Sequence, residues 1–167
     1  MNVAICPGSF DPITIGHLNV ICRASKIFDR VVVCVMRNAG KTSPMFSVEE
    51  RAEMIKRVVK DYPNVEVDTF GGLLSDYARR FERAVVVKGL RANSDFEYEF
   101  QMNMINRNMN PDMETMFIPA DGNYTFLSSS IVKEMAMYDA DLKGLVPDEI
   151  IEDIVKKSKE WRQHNGN

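Results

Sequence analysis

Short apolar runs alternate along the chain with segments whose apolar residues recur at helical spacing. The runs of strand length cover residues 3–6, 31–36, 65–67, 84–87 and 115–118. Each run is nearly continuous, which is typical of parallel strands that helices cover on both faces. Strand and helix alternate five times. The pattern therefore predicts an α/β fold with a doubly wound, five-stranded parallel sheet of the Rossmann-like kind.

Individual residues indicate where several helices begin. Ser47 and Glu50 have the spacing of a capping box and predict a helix that starts after Ser47. Ser94 opens a longer helical pattern, and the serine run that begins at Ser128 opens another. Pro147 suits the first position of a C-terminal helix.

Composition limits the classes of function. The chain has 167 residues, so we expect a single domain over 1–167. The net charge of −3 argues against nucleic acid as a partner. Cys6, Cys22 and Cys34 are scattered within apolar patterns, which favours free thiols in a reducing compartment and gives no metal-ligand spacing. With no membrane-length apolar run, we expect a cytoplasmic protein with no membrane partner. Because the cysteines lack metal-ligand spacing, we also expect no metal held by the protein's own side chains.

The turn after the first strand has the features of a phosphate site. Residues 7–17 read P-G-S-F-D-P-I-T-I-G-H. A strand, a glycine-containing turn and a helix start bind phosphates in α/β proteins, because free N–H groups and the positive end of the helix dipole meet there. Ser9 adds a hydroxyl, and His17 adds a titratable donor on the first helical turn.

Polar clusters follow four of the five predicted strands. They are Gly8, Ser9 and His17, then Arg37, Asn38 and Lys41, then Lys88, Gly89 and Arg91, and finally Tyr124 and residues 128–130. Ligands of open α/β sheets bind beyond the carboxyl ends of the strands, so these clusters are expected along one edge. Because burying unpaired cations costs on the order of several kcal/mol each, they indicate an anionic ligand such as a polyphosphate, or a solvated cleft.

Each cluster also has a purely structural explanation. Gly8 and Ser9 suit a tight turn, and His17 could bond a nearby carbonyl. Lone lysines are usually solvated. Lys88 and Arg91 could pair with the acidic residues that follow them, and the serine run could serve simply as a helix cap. Their joint placement at one edge favours a binding site. The motifs G-x-x-x-x-G-K-[ST] and G-x-G-x-x-G are absent, which argues against a P-loop kinase and an ordinary dinucleotide dehydrogenase.

Five segments carry a family resemblance. T-I-G-H at 14–17 resembles the T/H-x-G-H motif of the nucleotidyltransferase superfamily, and L-S-S-S at 127–130 resembles its second motif. P-G-S-F-D-P at 7–12, K-G-L-R at 88–91 and D-F-E-Y-E at 95–99 are similar to segments of the bacterial phosphopantetheine adenylyltransferases. The resemblance extends from about residue 3 to about residue 160.

The resemblance implies a function and an assembly. It implies the nucleotidyltransferase type of fold and transfer of AMP from ATP to 4′-phosphopantetheine, which gives dephospho-coenzyme A and pyrophosphate in coenzyme A biosynthesis. It also implies Mg²⁺ with the ATP, a homohexamer and inhibition by coenzyme A. We expect direct in-line displacement without a covalent enzyme intermediate, because the incoming phosphate is already a nucleophile at neutral pH.

The resemblance also implies roles for particular residues. The expected catalytic residues are His17, Lys41 and Arg91. The residues expected to bind ATP are Ser9, Phe10, His17, Gly89, Leu90, Arg91, Glu99, Tyr124, Thr125, Phe126, Leu127, Ser128, Ser129 and Ser130. The residues expected to bind the acceptor are Ser9, Lys41, Leu74 and Lys88. Lys88 stands where the family often has arginine, and the loop with Lys41 is one residue longer than usual.

Four other functions remain open from the sequence. A sister enzyme could adenylylate nicotinate or nicotinamide mononucleotide, and a cytidylyltransferase would use a different nucleotide. A non-catalytic nucleotide or coenzyme A sensor could keep the same fold. A nucleic-acid-binding role is the weakest, because the chain is acidic and shows no interleaving of basic and aromatic residues.

Overall fold

The computed structural model describes residues 2–37 and 44–165. Its strands are β1 (Val3–Gly8), β2 (Arg30–Met36), β3 (Val65–Phe70), β4 (Ala84–Leu90) and β5 (Glu114–Pro119). Its α-helices are α1 (Ile15–Ser25), α2 (Val48–Val58), α3 (Leu74–Ala78), α4 (Asn93–Met109), α5 (Ser129–Met137) and α6 (Ile151–Asn165). Short 3₁₀ helices cover Gly122–Tyr124 and Asp148–Ile150.

The sheet confirms the predicted α/β fold. Its five strands have the order β3-β2-β1-β4-β5, and every neighbouring pair is parallel. The chain builds outward from β1 through β2 to β3, then returns to place β4 on the other side of β1. The strand order therefore reverses between β1 and β4, and the carboxyl ends of these two strands flank the crevice where such sheets bind ligands.

The observed strands extend beyond the apolar runs at their carboxyl ends. β1 continues through Pro7 and Gly8, and β4 continues through Lys88 and Gly89 to Leu90. The hydrophobic pattern marks only the buried part of a strand, whereas ladder hydrogen bonds determine where the strand ends. Of the residues in the polar clusters, Gly8, Lys88 and Gly89 thus lie on the sheet itself.

Alternating side chains of the strands build a hydrophobic core on each face of the sheet. Ala4 and Cys6 of β1 contribute to the larger core, which α1, α2, α5 and α6 cover. Val3 and Ile5 contribute to the smaller core, which contains the fully buried Tyr77 of α3. This period-two alternation fixes which residues of β4 reach the crevice on either face.

The predicted helix starts are confirmed at two places. The Ser47 hydroxyl accepts a hydrogen bond from the Glu50 N–H at 3.1 Å, and the Glu50 carboxylate accepts one from the Ser47 N–H at 2.7 Å, which completes the capping box of α2. Ser128 is the N-cap of α5, and its hydroxyl accepts from the Ile131 N–H at 3.2 Å.

Two other helix starts differ from the prediction. Helix α4 begins at Asn93, before Ser94, with no side-chain cap at Ala92; Asp95 in its first turn instead accepts from the Arg91 N–H at 3.3 Å. Pro147 precedes the 3₁₀ helix rather than starting α6 directly. In both cases the chain enters the helix through a neighbouring turn that the hydrophobic pattern does not mark.

The cysteines are free, as predicted, and Cys6 and Cys34 are buried. Burial raises the pKa of both of these thiols to about 12. They are therefore protonated and poor nucleophiles at neutral pH. Among the residues that the structure describes, no helix is long and apolar enough to cross a membrane.

Candidate active site

The turn between β1 and α1 places Phe10 beside the start of α1. Phe10 has a φ of 46°, and its buried ring meets the His17 ring edge-on with the two centroids 5.2 Å apart. A Cβ atom on Gly8 would lie 2.9 Å from the Phe10 ring, which is closer than side-chain atoms normally approach. Glycine at position 8 therefore permits the conformation that brings Phe10 against His17.

His17 is oriented by the residue that caps its helix. The Thr14 hydroxyl accepts from the His17 N–H at 3.3 Å, and the Nδ1 atom of His17 lies 3.0 Å from the Thr14 backbone nitrogen. Nδ1 accepts from that N–H, so we assign the proton of the neutral ring to Nε2. The capping box thus fixes both the ring position and the tautomer, and Nε2–H is a donor on the side of the ring away from the cap.

Asp11 joins three segments around the turn. Its carboxylate is fully buried and accepts from the Met45 N–H at 3.1 Å, the Phe46 N–H at 2.9 Å and the Lys133 ammonium at 2.9 Å. Burial by itself would raise the pKa of Asp11, but the bonds from Lys133 and the two amides outweigh it and hold the pKa below its usual value. The charged carboxylate links the turn to helix α5 and to the segment before α2.

Two further side chains bind the backbone of the same turn. Arg51 on α2 is only 4% exposed and donates to the Ser9 carbonyl at 2.6 Å and to the Ser47 carbonyl at 3.1 Å. Ser129 on α5 donates to the Pro12 carbonyl at 2.8 Å. The turn is therefore held from two helices that are distant in sequence.

The first cavity lies between this turn, the carboxyl end of β4 and the start of α5, and has a volume of about 460 Å³. Its polar lining consists of Ser9, Thr14, His17, Lys88, Arg91, Asp95, Tyr98, Glu99, Tyr124, Ser128, Ser129 and Ser130. Cations, hydroxyls and the N-terminus of α5 surround one volume. Such a set of donors suits a polyphosphate.

A second cavity of about 470 Å³ lies on the α3 and α4 side of the sheet. Apolar side chains form most of its wall, namely Met36, Leu73, Leu74, Val86, Met102, Ile105, Met109 and Met113. Its polar lining includes Arg37, Asn103, Asn106 and Thr115. Both cavities are lined by Pro7, Gly8, Ser9, Lys88, Tyr98 and Glu99. The two cavities therefore meet along the carboxyl ends of β1 and β4.

Comparison with known proteins identifies the family. The cytidylyltransferase-like family profile matches residues 5–135. The phosphopantetheine adenylyltransferase of Clostridium tetani is 58% identical over 158 residues, which are 95% of this chain and 98% of that protein. The chain belongs to the phosphopantetheine adenylyltransferase family. The corresponding protein of Clostridium kluyveri is 54% identical over 157 residues, 94% of this chain and 95% of that protein.

A solved structure supports the nucleotidyltransferase type of the fold. The bifunctional NMN adenylyltransferase/ADP-ribose pyrophosphatase of Francisella tularensis superposes with a TM-score of 0.70 at 14% identity. The match covers 99% of this chain and 53% of that longer one. At this level of identity the likeness concerns the fold alone. The resemblance seen in the sequence motifs is confirmed for both the family and the fold.

Two of the strand-end cations, Lys88 and Arg91, have carboxylate partners, contrary to the argument from buried unpaired charge. Lys88 pairs with Glu99 at 3.2 Å, and both side chains are about one quarter exposed. Arg91 pairs with Asp95 at 2.9 Å and donates to the Leu127 carbonyl at 2.8 Å. An anionic ligand is therefore not required to balance these charges. An incoming phosphate would instead compete with Glu99 for Lys88.

The structure brings most of the predicted residues to the two cavities. The residues predicted for ATP that line the first cavity are Ser9, Phe10, His17, Gly89, Arg91, Glu99, Tyr124, Leu127, Ser128, Ser129 and Ser130. Leu74 lines the second cavity, and Lys88 lines both. Leu90, Thr125 and Phe126 line neither of them. Lys41, and Asn38 of the same cluster, lie outside the described residues.

Three charged residues that hold the site were not among the predicted site residues. Asp11 stands inside the quoted turn, but its partners Met45 and Lys133 are distant in sequence. Arg51 occupies an apolar position of α2, four residues before the buried Ile55. A cation at a position that the helical pattern assigns to the core is a signal that could have found Arg51.

Metal-binding side chains are not grouped in the described parts of the chain. Within residues 2–37 and 44–165, no three His, Cys, Asp or Glu side chains stand close enough to hold a metal ion. These residues therefore offer no protein-held metal centre, and no catalytic step is assigned to one.

Proposed function

We propose that the chain transfers AMP from ATP to 4′-phosphopantetheine, forming dephospho-coenzyme A and pyrophosphate in coenzyme A biosynthesis. The observation that carries the proposal is the meeting of the two cavities at Ser9 and Lys88. A polar cavity suits a nucleoside triphosphate, and a mainly apolar cavity suits the long arm of the acceptor. Curated relatives that carry this activity in their names are 54–58% identical to the chain.

ATP would occupy the first cavity. His17, Arg91 and the N-terminus of α5 at Ser129 all line it. A helix N-terminus with its free N–H groups is suited to phosphate oxygens, and the guanidinium of Arg91 adds a fixed positive charge. Glu99 would face the nucleotide once an acceptor phosphate replaces it on Lys88. Gly89 packs closely against the Val20 side chain. A Cβ atom at position 89 would lie only 2.8 Å from a methyl carbon of Val20, so glycine fits where a larger residue would collide.

The acceptor would occupy the second cavity with its phosphate at the shared boundary. Lys88 and Ser9 line both cavities, and Leu74 lines the apolar part. We assign the acceptor phosphate to Lys88 and Ser9 and the arm to the wall around Leu74. Lys41 is proposed to bridge the two substrates, as its counterpart in the family pattern implies.

The proposed chemistry is a direct in-line displacement. An oxygen of the acceptor phosphate attacks the α-phosphorus of ATP, and the bond from that phosphorus to the bridging oxygen breaks with its electron pair leaving on pyrophosphate. The nucleophile is already ionised, so no general base is needed. His17 Nε2–H would donate to an α-phosphate oxygen as its negative charge grows, and the cations would hold the two anions together. Mg²⁺ enters only as part of the ATP substrate.

Assembly and regulation are part of the same proposal. Phe96, Phe100, Met104 and Ile105 on α4 are each about half exposed, which supports a homo-oligomer in which a second copy covers them. We propose the homohexamer implied by the family, a single domain over 1–167 and a cytoplasmic location. Coenzyme A carries the same arm as the acceptor, so it would compete for the second cavity as an inhibitor.

An acceptor panel tests the proposed function. Purified protein is mixed with Mg²⁺ and ATP, and pyrophosphate release is measured with 4′-phosphopantetheine, nicotinate mononucleotide or nicotinamide mononucleotide as acceptor. CTP replaces ATP in a parallel series. We expect release only with ATP and 4′-phosphopantetheine. Turnover with a mononucleotide would contradict the assignment, and tight ATP binding without any pyrophosphate release would indicate a sensor.

A further inference from the structure

Three hydrogen bonds hold the Arg91 side chain just beyond the end of β4. Its Nε atom donates to Oδ2 of Asp95 at 2.9 Å, and its Nη2 atom donates to Oδ1 of the same carboxylate at 3.3 Å. The remaining nitrogen, Nη1, donates to the Leu127 carbonyl at 2.8 Å. Two bonds to one carboxylate fix the plane of a guanidinium, and a third bond to the backbone restrains it further. The guanidinium of Arg91 therefore has a defined orientation.

The Asp95 carboxylate is held in turn by the start of α4. Asp95 lies in the first turn of this helix, and its N–H donates to the Ala92 carbonyl at 3.1 Å. Its Oδ2 atom also accepts from the Arg91 N–H at 3.3 Å. The helix dipole favours a carboxylate at this end of a helix. Asp95 thus binds both the backbone and the side chain of Arg91.

The same bonds leave Arg91 able to contact a ligand. A guanidinium carries five N–H donors, and within the described part of the chain three of those of Arg91 have partners. Its side chain is 40% exposed, and both Arg91 and Asp95 line the first cavity. Two N–H groups remain for an anion, and the three protein bonds determine how the guanidinium meets it.

The neighbouring ion pair is of a different kind. Lys88 Nζ lies 3.2 and 3.5 Å from the two oxygens of Glu99, which follows Asp95 by one helical turn on α4. An ammonium is a point charge, so it can exchange one anion for another. A guanidinium can keep one carboxylate on part of its donors and bind a second anion with the rest. The pair of Asp95 and Arg91 can therefore stay intact while Arg91 contacts a phosphate.

We propose that Asp95 is a positioning residue that orients Arg91 toward the phosphates of bound ATP. The inference rests on the proposed function, in which Arg91 binds the triphosphate. A positive charge attracts ATP whatever the orientation of the guanidinium. Charge that develops in the transition state is instead stabilised by donors that are already in place. Loss of the Asp95 carboxylate should therefore reduce the rate more than the affinity for ATP.

Asp95→Asn tests the inference, because it keeps the shape of the side chain and removes its charge. The matched control is Glu97→Gln, at an exposed position of the same helix. Pyrophosphate release with ATP and 4′-phosphopantetheine gives kcat and the acceptor KM, and calorimetry without acceptor gives the Kd for ATP. We expect Asp95→Asn to lower kcat about tenfold, with the acceptor KM within about twofold and the Kd for ATP within about threefold of wild type. Glu97→Gln should match the wild-type protein in all three quantities.

A second background separates positioning of Arg91 from a general effect on α4. If Asp95 acts through Arg91, adding Asp95→Asn to Arg91→Met should lower kcat further by less than about twofold. A full tenfold loss in that background would show that Asp95 acts through the fold and would overturn the inference. Tighter ATP binding by Asp95→Asn at an unchanged kcat would also overturn it, because Asp95 would then compete with the nucleotide for Arg91.

Thermal unfolding supplies a readout that does not depend on activity. The ion pair of Asp95 and Arg91 is partly exposed, so Asp95→Asn should change Tm by less than about 3 °C. A larger fall would overturn the inference, because the lower rate would then follow from lost structure. If the wild-type protein releases no pyrophosphate with ATP and 4′-phosphopantetheine, the proposed function fails. If the wild type turns over and Asp95→Asn keeps its kcat, only the inference fails.

Discussion

The two cavities that meet at Ser9 and Lys88 are built in different ways. Around the first, hydrogen bonds within the protein hold the side chains, as Thr14 does for His17 and the Leu127 carbonyl does for Arg91. The second is walled mainly by methionine and leucine side chains. One cavity presents donors at fixed positions, and the other presents an adaptable apolar surface.

The difference matches what each substrate requires. Charge that develops at a phosphorus atom is stabilised by dipoles that are already in place, because no reorganisation is then needed during the reaction. A long, mostly apolar arm requires only shape and a few polar contacts. Substitutions around the first cavity should therefore lower the rate or the stability of the framework, whereas substitutions around the second should change acceptor affinity.

The largest effect is expected at His17. His17→Ala removes the Nε2–H donor and should lower kcat about 10²- to 10³-fold with a much smaller change in the KM for ATP. Pyrophosphate release under saturating acceptor measures both constants. The control is His17→Gln, whose side-chain N–H can approach the position of Nε2–H and should recover part of kcat. Near-normal turnover of His17→Ala would contradict the proposed role of His17 as a donor to the α-phosphate.

The buried carboxylate should matter next most. Asp11→Asn leaves the Lys133 ammonium without its anionic partner and should reduce the free energy of unfolding by about 2–3 kcal/mol at pH 7. Urea unfolding measures the loss. The double variant Asp11→Asn/Lys133→Met also removes the unpaired cation. Its loss of unfolding free energy should therefore be smaller than the sum of the losses of the two single variants. Additive losses would contradict the coupling of these two side chains.

The same pair predicts a pH dependence with a definite sign. The pKa of Asp11 in the folded state lies below its usual value, so the unfolded chain binds the proton more readily. The stabilisation is complete above the ordinary aspartate pKa of about 4 and is lost as the pH falls through the folded-state value. The stability difference between wild type and Asp11→Asn should thus shrink below about pH 4. A difference that stays constant to lower pH would exclude this carboxylate as its source.

Gly89 tests the close packing in the wall of the first cavity. Gly89→Ala would bring a Cβ to 2.8 Å from Val20 Cγ2, and the repacking should lower the free energy of unfolding by about 1–2 kcal/mol. Val20→Ala provides the matched control, since it removes the colliding methyl. If Gly89→Ala lowers the free energy of unfolding as much in the Val20→Ala background as in the wild-type protein, contact with Val20 is not the reason why position 89 is glycine.

The smallest of these effects is expected at Lys88. Lys88→Met removes the charge proposed for the acceptor phosphate and should raise the KM for 4′-phosphopantetheine about tenfold, with less effect on the KM for ATP. Lys88→Arg keeps the charge and should stay near the wild-type value. An equal rise in both KM values for Lys88→Met would mean that the boundary between the cavities does not separate the two substrates.

The contrast between the cavities also explains what the sequence could predict. The first cavity is built from short contiguous motifs such as the turn at 7–17 and the serine run at 128–130, and the rule that ligands bind at strand ends brings them together. Asp11 is part of one motif, yet its role depends on contacts with Phe46 and Lys133 that only the tertiary structure provides.

Most of the wall of the second cavity could not be predicted from the sequence. Met102 and Met109 of α4 line it, but a helical apolar position has the same pattern whether it faces a packed core or an empty volume.

The stereochemical course at the α-phosphorus tests the central claim most directly. If ATP and the acceptor bind side by side in the two cavities, AMP passes between them in one displacement. ATP made chiral at the α-phosphorus with sulfur and an oxygen isotope is converted with 4′-phosphopantetheine, and the configuration of the product is determined. We expect inversion. Retention would require an intermediate on the enzyme and would contradict direct transfer between the two cavities.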